Sequence, residues 1–176
     1  MSVRALAFLL LLSLTAGPAS ALGWREYAYP EAGFAVQLPA EPAIETATYS
    51  APGGISVPAS VYALRQPNIV LTMTIANLTG TPADNAMVID QVVRALRDTG
   101  TITTNVRAEI NDQYGQELSI NEKDGSRSIY AIFFINHRLY ELRGRILPPN
   151  PERRSANAVR FQQSLRFIVA RGGRRG

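Results

Sequence analysis

The chain has 176 residues, 46% of them hydrophobic, with 18 basic and 14 acidic side chains and no cysteine. A chain without cysteine is held by its core alone, and thiol nucleophiles, thiolate metal sites and redox pairs are excluded. The formal charge of +4 does not describe a basic body: apart from Arg4, Arg171, Arg174 and Arg175 the chain carries 14 residues of each sign, so no nucleic-acid-binding surface is expected.

The N-terminus reads as a secretory signal. Arg4 precedes an apolar run over residues 5–16, Gly17 and Pro18 break it, and Ala19-Ser20-Ala21 has the small-x-small form of a cleavage site. The run is about a dozen residues, short of the ~20 that span a bilayer as a helix. Cleavage after Ala21 is expected, giving a periplasmic or secreted protein with no transmembrane segment afterwards. No cysteine follows the run and no Arg-Arg pair precedes it, so neither a lipoprotein anchor nor a twin-arginine route is indicated. Residues 22–170 fit one domain. Residues 171–176, Arg-Gly-Gly-Arg-Arg-Gly, have nothing apolar to bury and are expected to be a disordered basic tail. Its three arginines would each contribute ~1 kcal/mol near an anionic membrane, a weak surface contact.

Residues 24–29 and 34–38 alternate in polarity around Pro30-Glu31-Ala32-Gly33 and predict an opening hairpin. Residues 44–50, 55–65 and 69–76 predict three further strands. Pro58 marks an edge or a bulge in the second, because proline has no N–H to give the ladder. A helix is predicted over 82–99: Thr81 caps, Pro82 suits the first position, Asp84 complements the dipole, and Ile89, Val92, Val93 and Leu96 form its apolar stripe. Gly100 is expected to close it in the left-handed conformation. Residues 101–110 read as extended. A second helix is predicted over 151–165, capped by Asn150 and presenting Ala158, Phe161 and Leu165; Phe167, Ile168 and Val169 are expected to pack on the domain.

Between the helices lies the clearest signal, three strands over 113–121, 127–135 and 138–147. The outer two alternate. The middle one does not: Ile129, Ala131, Phe133 and Ile135 fill one face, and Tyr130, Ile132 and Phe134 the other. A strand apolar on both sides needs cover on both sides. The predicted class is therefore α+β, an antiparallel β-sheet flanked by helices on both faces, an α/β/α sandwich.

Several of these pieces also resemble a known family. Trp24 and Tyr27, followed by Pro30-Glu31-Ala32-Gly33-Phe34-Ala35-Val36-Gln37-Leu38-Pro39, then a strand meander and a closing Phe161-Gln162-Gln163-Ser164-Leu165, resemble the PsbP-like superfamily over nearly the whole mature chain. The resemblance implies an α/β/α sandwich and a mostly non-enzymatic binding or assembly role. It carries no functional residue across.

Chemistry is sparse. His137 is the sole histidine, so with no cysteine the common zinc sets are absent; no metal or cofactor is expected. Asn121, Glu122 and Asp124 read as turn residues. Glycine pairs lack the context of a phosphate loop. The expected binding surface is the polar margin of the meander: His137, Arg138, Glu141, Arg143 and Arg145. The leading functional reading is a non-catalytic exported protein that binds an exported protein partner or assists assembly. The alternative is a small-molecule or anion-binding module that uses the guanidinium groups of this strand face. A hydrolase pairing His137 with Ser119, Ser126 or Ser128 weighs least, since no Gly-x-Ser-x-Gly elbow is present.

Overall fold

Period-two alternation along the chain becomes ten strands and two helices in a computed structural model that describes residues 23–51, 54–80, 84–149 and 155–168. The expected signal peptide, the basic tail and the proposed caps at Thr81 and Asn150 lie outside the described residues. The strands are β1 (Arg25–Tyr29), β2 (Phe34–Leu38), β3 (Ala43–Ala51), β4 (Ile55–Gln66), β5 (Ile69–Asn77), β6 (Gly100–Ile110), β7 (Gln113–Glu122), β8 (Arg127–Ile135), β9 (Arg138–Ile146) and β10 (Arg166–Phe167). The helices are α1 (Asn85–Arg97) and α2 (Ser155–Gln163). All strand pairings are antiparallel, which makes the protein a mostly β, α+β structure.

Seven strands form one sheet in the order β3-β4-β5-β9-β8-β7-β6, and β1-β2-β10 form a separate small one. The opening hairpin is thus as read from the sequence, but it leaves the main sheet and recruits the C-terminal Phe167 as a third strand. Pro58 sits in β4 just beyond Ala59, where pairing with β5 stops, so β4 has a neighbour on one side only at the position that lacks a donor.

The middle strand β8 organises two side-chain clusters. Ile129, Ala131 and Phe133 pack with Phe34, Val36 and Leu38 of the small sheet and with Ala158 and Phe161 of α2. Tyr130, Ile132 and Phe134 pack with Val88, Ile89, Val92 and Val93 of α1. Each fully buried valine, leucine, isoleucine or phenylalanine side chain among them contributes about 1.5–3 kcal/mol, an upper estimate.

Phe167 seats the small sheet by standing edge-on to both Phe133 and Tyr140, each at 5.2 Å between ring centres. Beside it, Phe34, the register partner of Phe167, forms an aromatic triple with Tyr29 and Tyr62 at centroid distances of 4.5 to 5.1 Å. Ser164 accounts for its place in the closing motif: its Oγ accepts from the Gln37 backbone N–H at 2.9 Å and donates to the Phe161 carbonyl at 2.7 Å. The hydroxyl ties the end of α2 to β2.

Two helix-end expectations are corrected. The N-cap of α1 is Asp84, whose Oδ1 accepts from the Met87 N–H at 2.7 Å, so the helix starts at Asn85 rather than at 82. A carboxylate at this position satisfies an orphan N–H and faces the positive end of the dipole. Gly100 is not a left-handed cap. It is the first residue of β6, paired with Glu122, and a Cβ there would run into the Asn121 carbonyl. Glycine is required there for close approach.

Candidate functional site

The two-residue turns give the site its frame. Asn136 and His137 join β8 to β9 with φ of 50° and 59°, and Asn111 and Asp112 join β6 to β7 with φ of 53° and 60°. Consecutive left-handed residues match the right-handed strand twist of a tight hairpin, and asparagine and aspartate tolerate that region best. Both turns lie at the same end of the sheet. The turn between β1 and β2 arrives there as well, where Gly33 at φ 81° closes a short 3-10 turn. Its missing side chain matters, since a Cβ would stand 3.0 Å from the Tyr140 hydroxyl, which donates to the Ala32 carbonyl at 3.1 Å.

These segments enclose an open cleft of about 710 Å³, walled by Ile135, Tyr140 and Phe167 and edged by Asn111, Gln113 and Asn136. Arg138 projects into it and also lines a second cavity of about 370 Å³ bounded by Thr46, Ser60 and Asn77. Its guanidinium donates one hydrogen bond, to the Glu31 carbonyl at 3.2 Å. It has no carboxylate partner among the described residues.

The other expected site residues lie elsewhere. Period two puts Tyr140 and Leu142 on the face of β9 that packs against α2, and Arg138 shares that parity. Glu141, Arg143 and Arg145 point to the opposite face with Leu139. Arg143 donates to Ser128 Oγ at 3.0 Å and to Glu122 Oε1 at 2.7 Å, and lies over the Tyr130 ring at 5.3 Å. Arg145 donates to Ser126 Oγ at 3.0 Å and pairs with Asp124. Asp124 Oδ1 in turn accepts from the Ser126 hydroxyl and N–H. Those two bonds, and then Arg145, hold the Asp124 carboxyl below the usual aspartate range. Both guanidinium groups are thus occupied by the protein's own carboxylates.

His137 is exposed at its turn, edge-on to Phe134 at 6.3 Å. Ser126 and Ser128 are buried at the far end of β8. Nine residues of extended chain separate Ser128 from His137, roughly 25 Å or more, so that serine–histidine pair is not assembled. Sequence reading missed Asn111, Gln113, Tyr140 and Phe167 as residues that line one cleft with Arg138. The turn pair Asn111-Asp112 was visible in the sequence, but its approach to Arg138 depends on pairing across the sheet.

Glu141 is half-buried and accepts from the Tyr49 hydroxyl at 3.3 Å. Burial lifts its carboxyl above the usual glutamate range, against the opposing pull of Arg143 and of the Tyr49 bond. Burial and Glu141 together push the Tyr49 phenol up. A carboxyl whose folded pKa exceeds its unfolded value costs stability when ionised, and that cost vanishes as pH falls below the unfolded value. Glu141→Gln is therefore expected to raise the melting temperature by a few degrees at about pH 7 and to leave it unchanged below about pH 4. Melting curves at the two pH values test this; a lower melting temperature at neutral pH would show that the ionised carboxylate is stabilising instead.

No family profile and no curated protein matches the chain by sequence. Solved structures do match. The solution structure of the cyanobacterial PsbP (CyanoP) from Synechocystis superposes with a TM-score of 0.57 at 10% identity, covering 89% of this chain and 99% of that one.

The fold is PsbP-like.

A crystal structure of PA94, a Pseudomonas aeruginosa protein of unknown function, aligns at a TM-score of 0.44 and 13% identity over 85% of this chain and 98% of that one. At such identities the likeness concerns the PsbP-like fold alone. Among the described residues no helix is long and apolar enough to cross a membrane.

Proposed function

We propose that this chain is an exported, non-catalytic binding protein whose protein partner docks at the cleft around Arg138. One observation carries the reading: a guanidinium without a carboxylate partner among the described residues stands in an open cleft of about 710 Å³ with aromatic walls and a rim of amide side chains. Arginine beside aromatic surface is the composition of protein-binding hot spots. Arg143 and Arg145 would have to give up Glu122 and Asp124 before binding an anion, so the interaction is assigned to Arg138 instead. The PsbP-like fold is compatible with a non-catalytic role. The composition of the two clusters supports a layered arrangement, with α1 on one face of the large sheet and α2 on the other. That arrangement leaves the turn end of the sheet as the natural docking edge. The Ala19-Ser20-Ala21 site supports export.

A photo-reactive residue at Asn136 or Asn111 is expected to capture one recurrent exported protein in living cells, from a chain whose mature N-terminus is Leu22. Arg138→Glu should abolish the adduct, and a probe at Asn68, at the opposite end of the sheet, should not form it. Equal capture from Asn68, or none from the cleft positions, rejects the reading.

A further inference from the structure

A second concave surface lies on the α1 side of the sheet, away from Arg138. Helix α1 and the hairpin β6–β7 do not meet along their whole length. Between them run a cavity of about 360 Å³ and a smaller one of about 190 Å³, and Asp90 and Gln116 line both. The two are lobes of one groove that follows α1 from Asn85 to Arg97, about 18 Å at helical rise.

Three properties of the groove coincide. First, Asn85 Oδ1 and Gln116 Oε1 are buried acceptors without a hydrogen-bond donor among the described residues. Both residues line the larger lobe. Buried polar atoms are nearly always paired, and an unpaired one calls for a donor from outside the chain. Second, Arg94 and Arg97 line the smaller lobe. They have no ion-pair partner among the described residues, although the acid Asp90 lies in the same groove. Arg107 adds a third cation, its guanidinium resting 4.6 Å from the centre of the Tyr114 ring. Third, Tyr114 is 49% exposed at the edge of the larger lobe. An exposed tyrosine presents a flat apolar face with a polar tip.

We propose that this groove binds an acidic saccharide, a short chain of uronic-acid units. Sugar hydroxyls supply the donors that Asn85 Oδ1 and Gln116 Oε1 lack, and their oxygens accept from the amide N–H groups of the same side chains. Asp90 accepts a further hydroxyl. The uronate carboxylates meet Arg94, Arg97 and Arg107, where guanidinium binds carboxylate with two parallel hydrogen bonds. The C–H face of a sugar ring covers the exposed part of Tyr114. A bare anion would leave the amide oxygens unpaired, and a neutral sugar would leave the guanidiniums unpaired. The volume of the larger lobe falls within the ~300–1,000 Å³ typical of small-ligand sites. This surface is independent of the Arg138 cleft, and either assignment can fail without the other.

The test is a titration of the full mature chain with tetragalacturonate, followed by calorimetry and by amide chemical shifts. Saturable binding is expected, with shifts confined to residues 85–97 and 105–116. Maltotetraose should bind at least about tenfold more weakly, and Arg94→Gln with Arg97→Gln, both exposed positions, should weaken tetragalacturonate about tenfold. Gln116→Met, close in volume but without the acceptor, should weaken both sugars at an unchanged melting temperature. The proposal is overturned by any of four outcomes: no saturable binding of tetragalacturonate, equal binding of maltotetraose, equal displacement by inorganic sulfate, or unaltered affinity in both variants. Water alone then satisfies the two amide oxygens.

Discussion

Phe133→Ala is expected to destabilise the protein by about 3–5 kcal/mol, read as a lower midpoint of urea unfolding at an unchanged slope. Phe133 is fully buried in the centre of β8. It faces Tyr140 across the β8–β9 ladder and lies opposite Gly115 on β7. Its ring also meets Phe167 edge-on, so truncation both empties a core site and removes the surface on which β10 rests. Gly115 is its structural counterpart, because a Cβ there would stand 2.5 Å from a Phe133 ring carbon and closer still to the Ile132 carbonyl oxygen. Gly115→Ala is accordingly expected to cost about 1–3 kcal/mol by overpacking, and only part of that is relieved in a Phe133→Leu background, where the ring edge is gone but the Ile132 carbonyl remains. A Phe133→Ala cost below about 1 kcal/mol would mean that the small sheet is held by its other contacts and that the aromatic bridge is dispensable.

Arg143→Met is expected to cost about 3 kcal/mol at neutral pH. The reason is what it leaves behind. The Glu122 side chain is only 7% exposed, and without Arg143 its carboxylate keeps a single donor among the described residues, the Tyr130 hydroxyl at 3.4 Å. A buried charge stripped of its partner bears the full desolvation penalty, whereas a neutral, well-packed pair need not. Glu122→Gln combined with Arg143→Met should therefore recover most of the loss, which a double-mutant cycle by thermal or urea unfolding measures. The exposed pair Arg65–Glu45, at 58% and 47% exposure, is the control: breaking it should change stability by no more than about 1 kcal/mol. If the double variant is as unstable as the single, the pair is required for packing geometry and the charge argument fails.

Much of the local structure was legible along the chain. The alternation of β7 and β9 and the unbroken apolar run of β8 placed three strands within a residue or so of their observed limits. Side-chain parity is a property of extended backbone and needs no neighbours to be read. The two-residue turns at 111–112 and 136–137 were equally plain, because few residues accept left-handed φ. Parity also held a clue to the site that the sequence reading did not use: Arg138 is even-numbered on β9 with Tyr140 and Leu142, while Arg143 and Arg145 are odd-numbered with Leu139. The five residues expected to form one surface therefore divide between the two faces of the sheet.

The amino-acid sequence by itself determined where strands and helices form, which faces of them are apolar, that the core dispenses with disulfides, and the hairpin and closing-helix motifs that resemble a PsbP-like fold. Each follows from short-range stereochemistry or from composition. Only the tertiary structure decided that β1, β2 and β10 form a sheet of their own, that Glu122 and Asp124 occupy Arg143 and Arg145, and that Arg138 and the groove beside α1 stay open. Those outcomes depend on pairings between segments distant in sequence, such as β2 with β10 and β5 with β9. No local preference encodes which carboxylate will reach a given guanidinium once the sheet has brought them together.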